Sequence, residues 1–222
     1  MNEAIFVFHI LLVVSFGLFA LRLGKEALFA WISLQAVLAN LFVIKQINFL
    51  GYEVTGSDVF AIGSILGLNL LQEYFGKESA KKATWVCFFI LAFFGVMSQV
   101  HLFYQPSIHD IADPSFHTIL TPAPRLLLAS VTVFFIVQQI DRRFFGLLKK
   151  KSSLSLSMRN GVCLTFSQLI DTVLFSVLGL YGQVASLTDI ILISFLIKVI
   201  VIFSMTTFIS FTKRMIPNYE NS

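Results

Sequence analysis

The stretch RNGVCLTFSQLIDTVLFSVLGLYG, residues 159–182, has the length and composition of a membrane-spanning helix but carries polar residues in its middle. Most of its residues are apolar, and its length matches the roughly 20 residues with which a helix crosses about 30 Å of hydrocarbon. Gln168, Asp171 and Thr172 nevertheless lie in its middle, and helical spacing puts them on one face together with Phe175. A membrane-spanning helix turns such a face towards protein or water and not towards lipid.

The composition of the 222-residue chain is that of a membrane protein throughout. Apolar residues make up 57% of it and charged residues 13%, with a mean hydropathy of +0.85, which is unlike a soluble domain. Helices satisfy their own backbone groups in lipid, so the apolar runs predict an all-α, polytopic transmembrane bundle of six to seven spans. The runs are Ala4–Leu21, Ala27–Ile44, Val54–Leu71, Ala83–Phe103, Ala123–Ile140, Asn160–Tyr181 and Thr188–Phe211.

Basic residues are concentrated in alternate connections between the predicted spans. The opposite connections hold Lys45 and the acidic Asp110 and Asp113. The positive-inside rule therefore predicts a multi-pass protein of the cytoplasmic (inner) membrane, with the N-terminus outside and the C-terminus in the cytoplasm. Topology and anionic lipid account for the net charge of +4, so no nucleic-acid partner is expected. The basic groups are Arg22 and Lys25; Lys77, Lys81 and Lys82; Arg142, Arg143 and Lys149–Lys151; and Lys213 and Arg214.

Asp171 has a potential partner in the last predicted span. It lies about 18 Å beyond Arg159 at 1.5 Å per residue, and Lys198 lies at a matching depth before Lys213. Two interpretations are open: an ion pair that only joins two helices, or a charge pair that lines a cavity and meets a polar ligand or an exchanged proton. Buried ion pairs stabilise proteins less than apolar packing does, which favours the second interpretation.

Other polar residues inside the spans are further candidates. Asn69, Gln72 and Glu73 share a face near the cytoplasmic end of the third span, where Glu73 either contacts a ligand or neutralises a loop lysine. Arg125 begins the fifth span and reaches either lipid headgroups or a ligand carbonyl. Asn40 interrupts the second span, and amides of this kind often join helices.

Small residues inside the spans are assigned to packing. Gly63 and Gly67 have the small-xxx-small spacing of closely packed membrane helices, and Cys87 and Cys163 lack metal-ligand spacing. The histidines and aspartates of residues 101–117 match no tight metal motif, so no metal site is expected. The chain has no GxxxxGK, HExxH or GxSxG motif, so neither a cofactor nor a catalytic site is expected.

Several longer motifs follow one another in a characteristic order. They are LGKEALFAWISLQAVLANLFVIKQINFLG, NLLQEYFGKESAKKATW, APRLLLAS with QQID, MRNGVCLTFSQLIDTVLF, and finally Lys198. From about Arg22 to Phe208, the chain thereby resembles the queuosine-precursor transporter family, also described as vitamin-uptake-like. EYFGKxxAKKA and RNxxxxxxSQLIDTxxF are the specific parts of the resemblance.

The resemblance implies an integral membrane importer of 7-deazaguanine bases, such as queuine or pre-queuosine bases, that supplies tRNA queuosine modification. It implies a fold distantly like the substrate-binding subunits of energy-coupling-factor transporters, without a dedicated ATPase. Residues 1–222 then form one transporter domain, with a first helix and loop (1–26), a family core (27–211) and a cytoplasmic tail (212–222). The expected partners are the lipid bilayer and a purine-like base, and homo-oligomers are left open. The alternative is a substrate-binding subunit of an ATP-driven vitamin-type transporter for another small planar solute.

The chemistry of such a base gives the polar residues roles. A 7-deazaguanine carries adjacent N–H and amino donors that suit a carboxylate, and a carbonyl that suits an amide or guanidinium. We expect Asp171 or Glu73 to bind the donor edge. Gln168, Asn69 or Arg125 then binds the carbonyl. The full set of expected binding residues, with Phe175 covering the ring, is Asn40, Asn69, Glu73, Arg125, Gln168, Asp171, Thr172, Phe175 and Lys198.

One position departs from the family pattern in a way that matters for mechanism. Asn69 stands four residues before Glu73, where the family usually has an aspartate. This departure puts in doubt any ligand contact or proton coupling through an acid at position 69.

Overall fold

The computed structural model describes residues 1–151 and 156–215 and is built mainly of helices. A two-stranded hairpin separates the first two helices from the rest, and a five-residue π-helix, Ser176–Leu180, extends α7. Of the predicted tail, residues 216–222 lie outside the described residues. The elements are α1 Asn2–Leu23, α2 Lys25–Phe42, β1 Gln46–Phe49, β2 Tyr52–Thr55, α3 Asp58–Phe75, α4 Lys77–Leu102, α5 Asp113–Leu120, α6 Ala123–Lys151, α7 Leu156–Phe175 and α8 Leu187–Met215.

Within the described residues, four helical segments are long and apolar enough to cross a membrane. The outward faces of α1 and α4 are suited to contact with lipid, because large apolar side chains such as Phe16 and Phe89 are more than half exposed there. The predicted helical membrane protein is thereby confirmed, whereas these four segments do not establish six or seven spans. The segments are Asn2–Leu23, Lys77–Leu102, Asp113–Leu148 and Gly161–Leu180.

The predicted start of the third span, at Val54, is wrong because residues 46–55 form an antiparallel hairpin. Its turn consists of Leu50 and Gly51, which have φ angles of 53° and 86°, as in the two-residue turns that match the twist of a hairpin. The alternating apolar residues of the strands resemble the start of a span in sequence. Helix α3 begins only at Asp58, which places this carboxylate in its first turn.

Two predicted loops also contain helix. The loop 105–122 contains α5, and α6 runs through much of the predicted loop 141–158. The reason for the longer α6 is packing against α7: the rings of Phe144 and Phe166 lie with their centroids 4.4 Å apart. Tertiary contacts therefore continue the helix past a polar stretch that the sequence predicts as its end.

Glycines allow α3 to pack closely against α1 and α2. A Cβ atom on Gly63 would lie 2.7 Å from Oε1 of Gln35, and one on Gly67 would lie 2.5 Å from Cγ1 of Ile32. Real Cβ atoms do not approach other heavy atoms so closely. The close helix packing predicted from this pair of glycines is confirmed.

The connections of the bundle fall at two opposite ends. Asn2 Nδ2 donates to the carbonyl of Asn48 at 2.8 Å, and the amide of Ala185 donates to Gln46 Oε1 at 2.7 Å. The N-terminus, the hairpin and the α7–α8 connection therefore share one end, which we call the hairpin end. The opposite end, reached where α1 and α3 finish, is the basic end; its residues include Arg22, Lys25, Lys77, Lys81 and Lys82.

Candidate functional site

A cavity of about 280 Å³ lies among α2, α3, α4, α6, α7 and α8 and is lined at the hairpin end by Thr55 and Ser57. We call it the central cavity. Its volume lies slightly below the roughly 300 to 1,000 Å³ of typical small-molecule sites. A mostly apolar wall with a few convergent polar groups is the usual composition of such a site. Its other polar lining residues include Asn40, Asp58, Asp171, Thr172, Ser194 and Lys198, and the rings of the wall are Phe88, Phe134 and Phe175.

Asp171 and Lys198 form an ion pair on the wall of the central cavity. Lys198 Nζ lies 2.9 Å from Asp171 Oδ2 and donates to Thr172 Oγ1 at 3.0 Å. The Lys198 side chain is 12% exposed and that of Asp171 is 33% exposed. The two interpretations left open by the sequence thus coincide, because the pair joins α7 to α8 and also lines the cavity. It presents an acceptor and a donor side by side to a polar ligand.

Asp58 is a second cavity carboxylate, which the sequence analysis missed. It is 7% exposed, and its Oδ2 accepts a hydrogen bond from Ser194 Oγ at 2.9 Å. Ser194 and Lys198 are four residues apart on α8 and therefore share a helix face. The available signal was an acid inside the predicted span Val54–Leu71, but its role depends on α8, which lies 136 residues away in sequence.

Asn40 contributes an amide to the central cavity from α2. Its Nδ2 donates to the carbonyl of Ala36, one turn earlier, at 2.9 Å. Its Oδ1 is buried and has no hydrogen-bond partner among the described residues. Because an unpaired buried acceptor costs free energy, Asn40 is suited to accept a hydrogen bond from a ligand.

A second cavity of about 240 Å³ adjoins the first between α6 and α7. Phe134 and Asp171 line both cavities, and Gln168 lines the second. Asp141 also lines the second cavity, and its Oδ1 accepts hydrogen bonds from Ser167 Oγ at 2.6 Å and Cys163 Sγ at 3.1 Å. Cys163, expected only to pack, is therefore also a donor to a carboxylate that the sequence placed in a loop.

Three expected binding residues line neither cavity. Arg125 is exposed, and its Nε donates to the carbonyl of Leu178 in the π-helix at 2.9 Å. Glu73 is exposed and Asn69 is half-buried in the last turns of α3. Asn69 lies about 16 Å along the helix axis from Asp58, at 1.5 Å per residue. The structure thus brings together Asn40, Asp171, Thr172, Phe175 and Lys198 from the expected set, with Gln168 in the adjoining cavity.

These observations define the class of the protein. Apolar helices surround a cavity that holds an ion pair, a further carboxylate and an amide, and charged residues within membrane helices are typical of solute paths. Fold and site together are those of an integral membrane transporter for a small solute. The chain belongs to the family described as "putative vitamin uptake transporter", whose sequence model matches residues 55–212.

A curated relative extends the match over nearly the whole chain. The chain is 31% identical over 221 residues to the "Probable queuosine precursor transporter" of Bacillus subtilis (strain 168), an alignment that covers 97% of this chain and 95% of the relative. No solved structure matches the chain. The family predicted from the motifs EYFGKxxAKKA and RNxxxxxxSQLIDTxxF is confirmed.

Proposed function

We propose that this transporter imports 7-deazaguanine bases, the precursors of queuosine, and binds them in the central cavity. The cargo is supported by the name of the B. subtilis relative, which refers to queuosine precursors. The single observation that best supports this binding site is the ion pair of Asp171 and Lys198 on the cavity wall, whose charged atoms are 2.9 Å apart. An ion pair inside a membrane protein is a poor stabiliser, so its position on a cavity favours a role in binding.

The groups of the cavity match the edges of the base. Asp171 accepts hydrogen bonds from the adjacent N–H and amino groups, chiefly through Oδ1, because Lys198 binds Oδ2. Lys198 has three N–H donors, of which Asp171 and Thr172 take two, so the third is directed to the ring carbonyl. The unpaired Oδ1 of Asn40 accepts a further donor, and Phe175 covers a face of the ring.

The two cavities form the transport path. The central cavity is lined by residues of the hairpin end, and Phe134 and Asp171 separate it from the second cavity, whose wall they share. In alternating exposure of a fixed site, the shared wall opens to one side at a time. Phe134 then acts as the barrier, and Asp171 stays in contact with the base from both sides.

The proposed topology has seven spans, formed by α1 to α4 and α6 to α8, in the cytoplasmic membrane. The hairpin end faces outside, together with the N-terminus. The basic end faces the cytoplasm, which the concentration of Lys and Arg there supports. Of these residues, Lys77 and Lys81 are exposed at the start of α4. Import therefore runs from the central cavity to the second cavity.

Complementation tests this function. Cells that can neither synthesise queuosine nor import its precursors express the protein, receive one 7-deazaguanine base at low concentration, and have their tRNA assayed for queuosine. We expect queuosine to appear with the native protein and with the control Asp113→Asn, which changes an acid on α5 that lines neither cavity. Asp171→Asn should abolish the signal at equal membrane expression. No queuosine with any base would contradict the proposal, and uptake that requires a co-purifying ATPase would favour the ATP-driven binding subunit instead.

A further inference from the structure

Asp58 is the cavity acid that the proposed binding of the base does not use. Its side chain is almost fully buried, and Ser194, a neutral hydroxyl, is its hydrogen-bond partner at 2.9 Å. None of the ion pairs formed by the described residues includes Asp58. The residue therefore keeps a carboxyl group at the cavity without a cation bonded to it.

The charges around Asp58 do not balance. Its ionisable neighbours on the cavity wall are Asp171 from α7 and Lys198 from α8, and these two are paired with each other. The other elements that line the cavity contribute neutral polar groups or apolar side chains to it: Asn40 from α2, Thr55 and Ser57 from the hairpin and the turn after it, Phe88 from α4, and Ser130 from α6. Outside it, His9 of α1 packs edge-on against Phe60 of α3, and Lys45 lines a different cavity, which shares no lining residue with the central one. With every acid ionised, the central cavity holds one negative charge too many. A carboxylate in such surroundings binds a proton or another cation more readily than it stays charged.

The position of Asp58 fits the direction of import. It lies in the first turn of α3, next to the hairpin end, whereas Asp141 lies in the second cavity beyond Asp171. Carboxylates therefore occur at the start, the middle and the far part of the path. Ser194 and Lys198, the partners of the first two, are four residues apart on α8, so a movement of α8 acts on both acids together.

We propose that Asp58 is the proton-binding residue that couples import of the base to inward movement of a proton, an inference that rests on the proposed function. The carboxylate takes up a proton from the outer side while the central cavity is open there. Base and proton cross together when the shared wall opens to the second cavity. The proton leaves to the cytoplasmic side with the base. Asp58 is then a carboxylate again when the central cavity reopens to the outside.

Proteoliposomes containing the purified full chain test this coupling. Two quantities are measured with a labelled 7-deazaguanine: exchange against unlabelled base without any gradient, and net accumulation under an inward proton gradient without sodium, at zero membrane potential. With one proton per base, a gradient of one pH unit supports about tenfold accumulation. We expect the native protein and Asp113→Asn to show both activities, and Asp58→Asn to exchange the base without accumulating it.

The outcomes separate the coupling from the transport function. Exchange by the native protein without proton-driven accumulation, or accumulation driven only by a sodium gradient, overturns the coupling and leaves the proposed function intact. Absence of exchange with every base overturns the proposed function and the coupling with it. Accumulation by Asp58→Asn equal to that of the native protein also overturns the coupling.

A milder variant covers the case in which Asp58→Asn does not fold. Ser194→Ala keeps the carboxylate and removes the donor that stabilises its charged form. We expect proton-driven accumulation to persist, with the midpoint of its pH dependence about half a unit to one unit higher, because one hydrogen bond to the anion is lost. An unchanged pH profile would overturn the assignment to Asp58.

Discussion

Lys198 of α8 donates to Asp171 of α7 across a distance of 2.9 Å, and the two side chains together form part of the central cavity wall. The relationship has two consequences that can be tested apart. If the pair only joins two helices, its effect depends on the two charges being opposite. If the pair binds the base, the carboxylate must be at position 171 and the ammonium at position 198.

Exchanging the two residues separates these consequences. In Asp171→Lys with Lys198→Asp, the ion pair can re-form, but the base meets an ammonium where its donor edge needs a carboxylate. We expect the protein to remain folded in the membrane while uptake falls roughly 30-fold or more, from about 2 to 5 kcal/mol of lost or unpaired hydrogen bonds. Restored uptake in the exchanged variant would show that the pair is purely structural.

The close approach of α3 predicts a strong effect of a single methyl group. Gly67→Ala places a Cβ 2.5 Å from Ile32 Cγ1, so either the helices separate or side chains leave their rotamers. We expect a loss of about 1 to 3 kcal/mol in stability, measured as a lower melting temperature in detergent. The matched control is Gly146→Ala on α6, where nothing lies within 4 Å of the added atom. Equal melting temperatures for the two variants would contradict the packing described here.

A cross-link between the hairpin and the α7–α8 connection is expected to stop transport. Ala185 N donates to Gln46 Oε1 at 2.7 Å, which joins the hairpin to the α7–α8 connection beside the central cavity. If this end opens to admit the base, a reducible bifunctional thiol reagent that joins Gln46→Cys to Ala185→Cys blocks uptake. We expect a reductant to restore uptake and each single variant to be insensitive to the reagent. Full uptake by the cross-linked protein would mean that the base is admitted elsewhere.

The proposed orientation predicts which residues a membrane-impermeant thiol reagent reaches. Ile108→Cys lies in the exposed connection between α4 and α5, and Lys81→Cys lies exposed at the basic end. In intact cells we expect labelling at position 108 only, with position 81 labelled after the membrane is permeabilised. The reverse pattern would invert the topology.

Helical spacing explains both what the sequence predicted about the site and what it missed. It correctly put Gln168, Asp171, Thr172 and Phe175 on one face, because that relation exists within one helix. Which helices meet, and at what rotation, is decided by packing. Arg125 therefore binds a backbone carbonyl outside the cavity, although its position at the start of a span suited a ligand.

The boundaries of the elements account for the two acids that the sequence did not single out. Strands with alternating apolar residues look like the beginning of a span. The sequence therefore predicts a span that begins at Val54, whereas α3 begins at Asp58. Asp141 looked like a loop residue because Arg142 and Arg143 follow it. Its helical position depends on contacts between α6 and α7, such as that with Ser167, and these contacts are long-range in sequence.

Binding of the base in the central cavity can be measured by substrate protection. Ser130→Cys puts a thiol on the wall of that cavity, and the rate of its alkylation is measured in purified protein with increasing concentrations of a 7-deazaguanine base. Ile108→Cys, exposed outside the cavity, serves as the control. We expect the base to slow alkylation at position 130 at the concentrations that support uptake and to leave position 108 unaffected. Equal alkylation rates at position 130 with and without a transported base would show that the base does not bind in the central cavity.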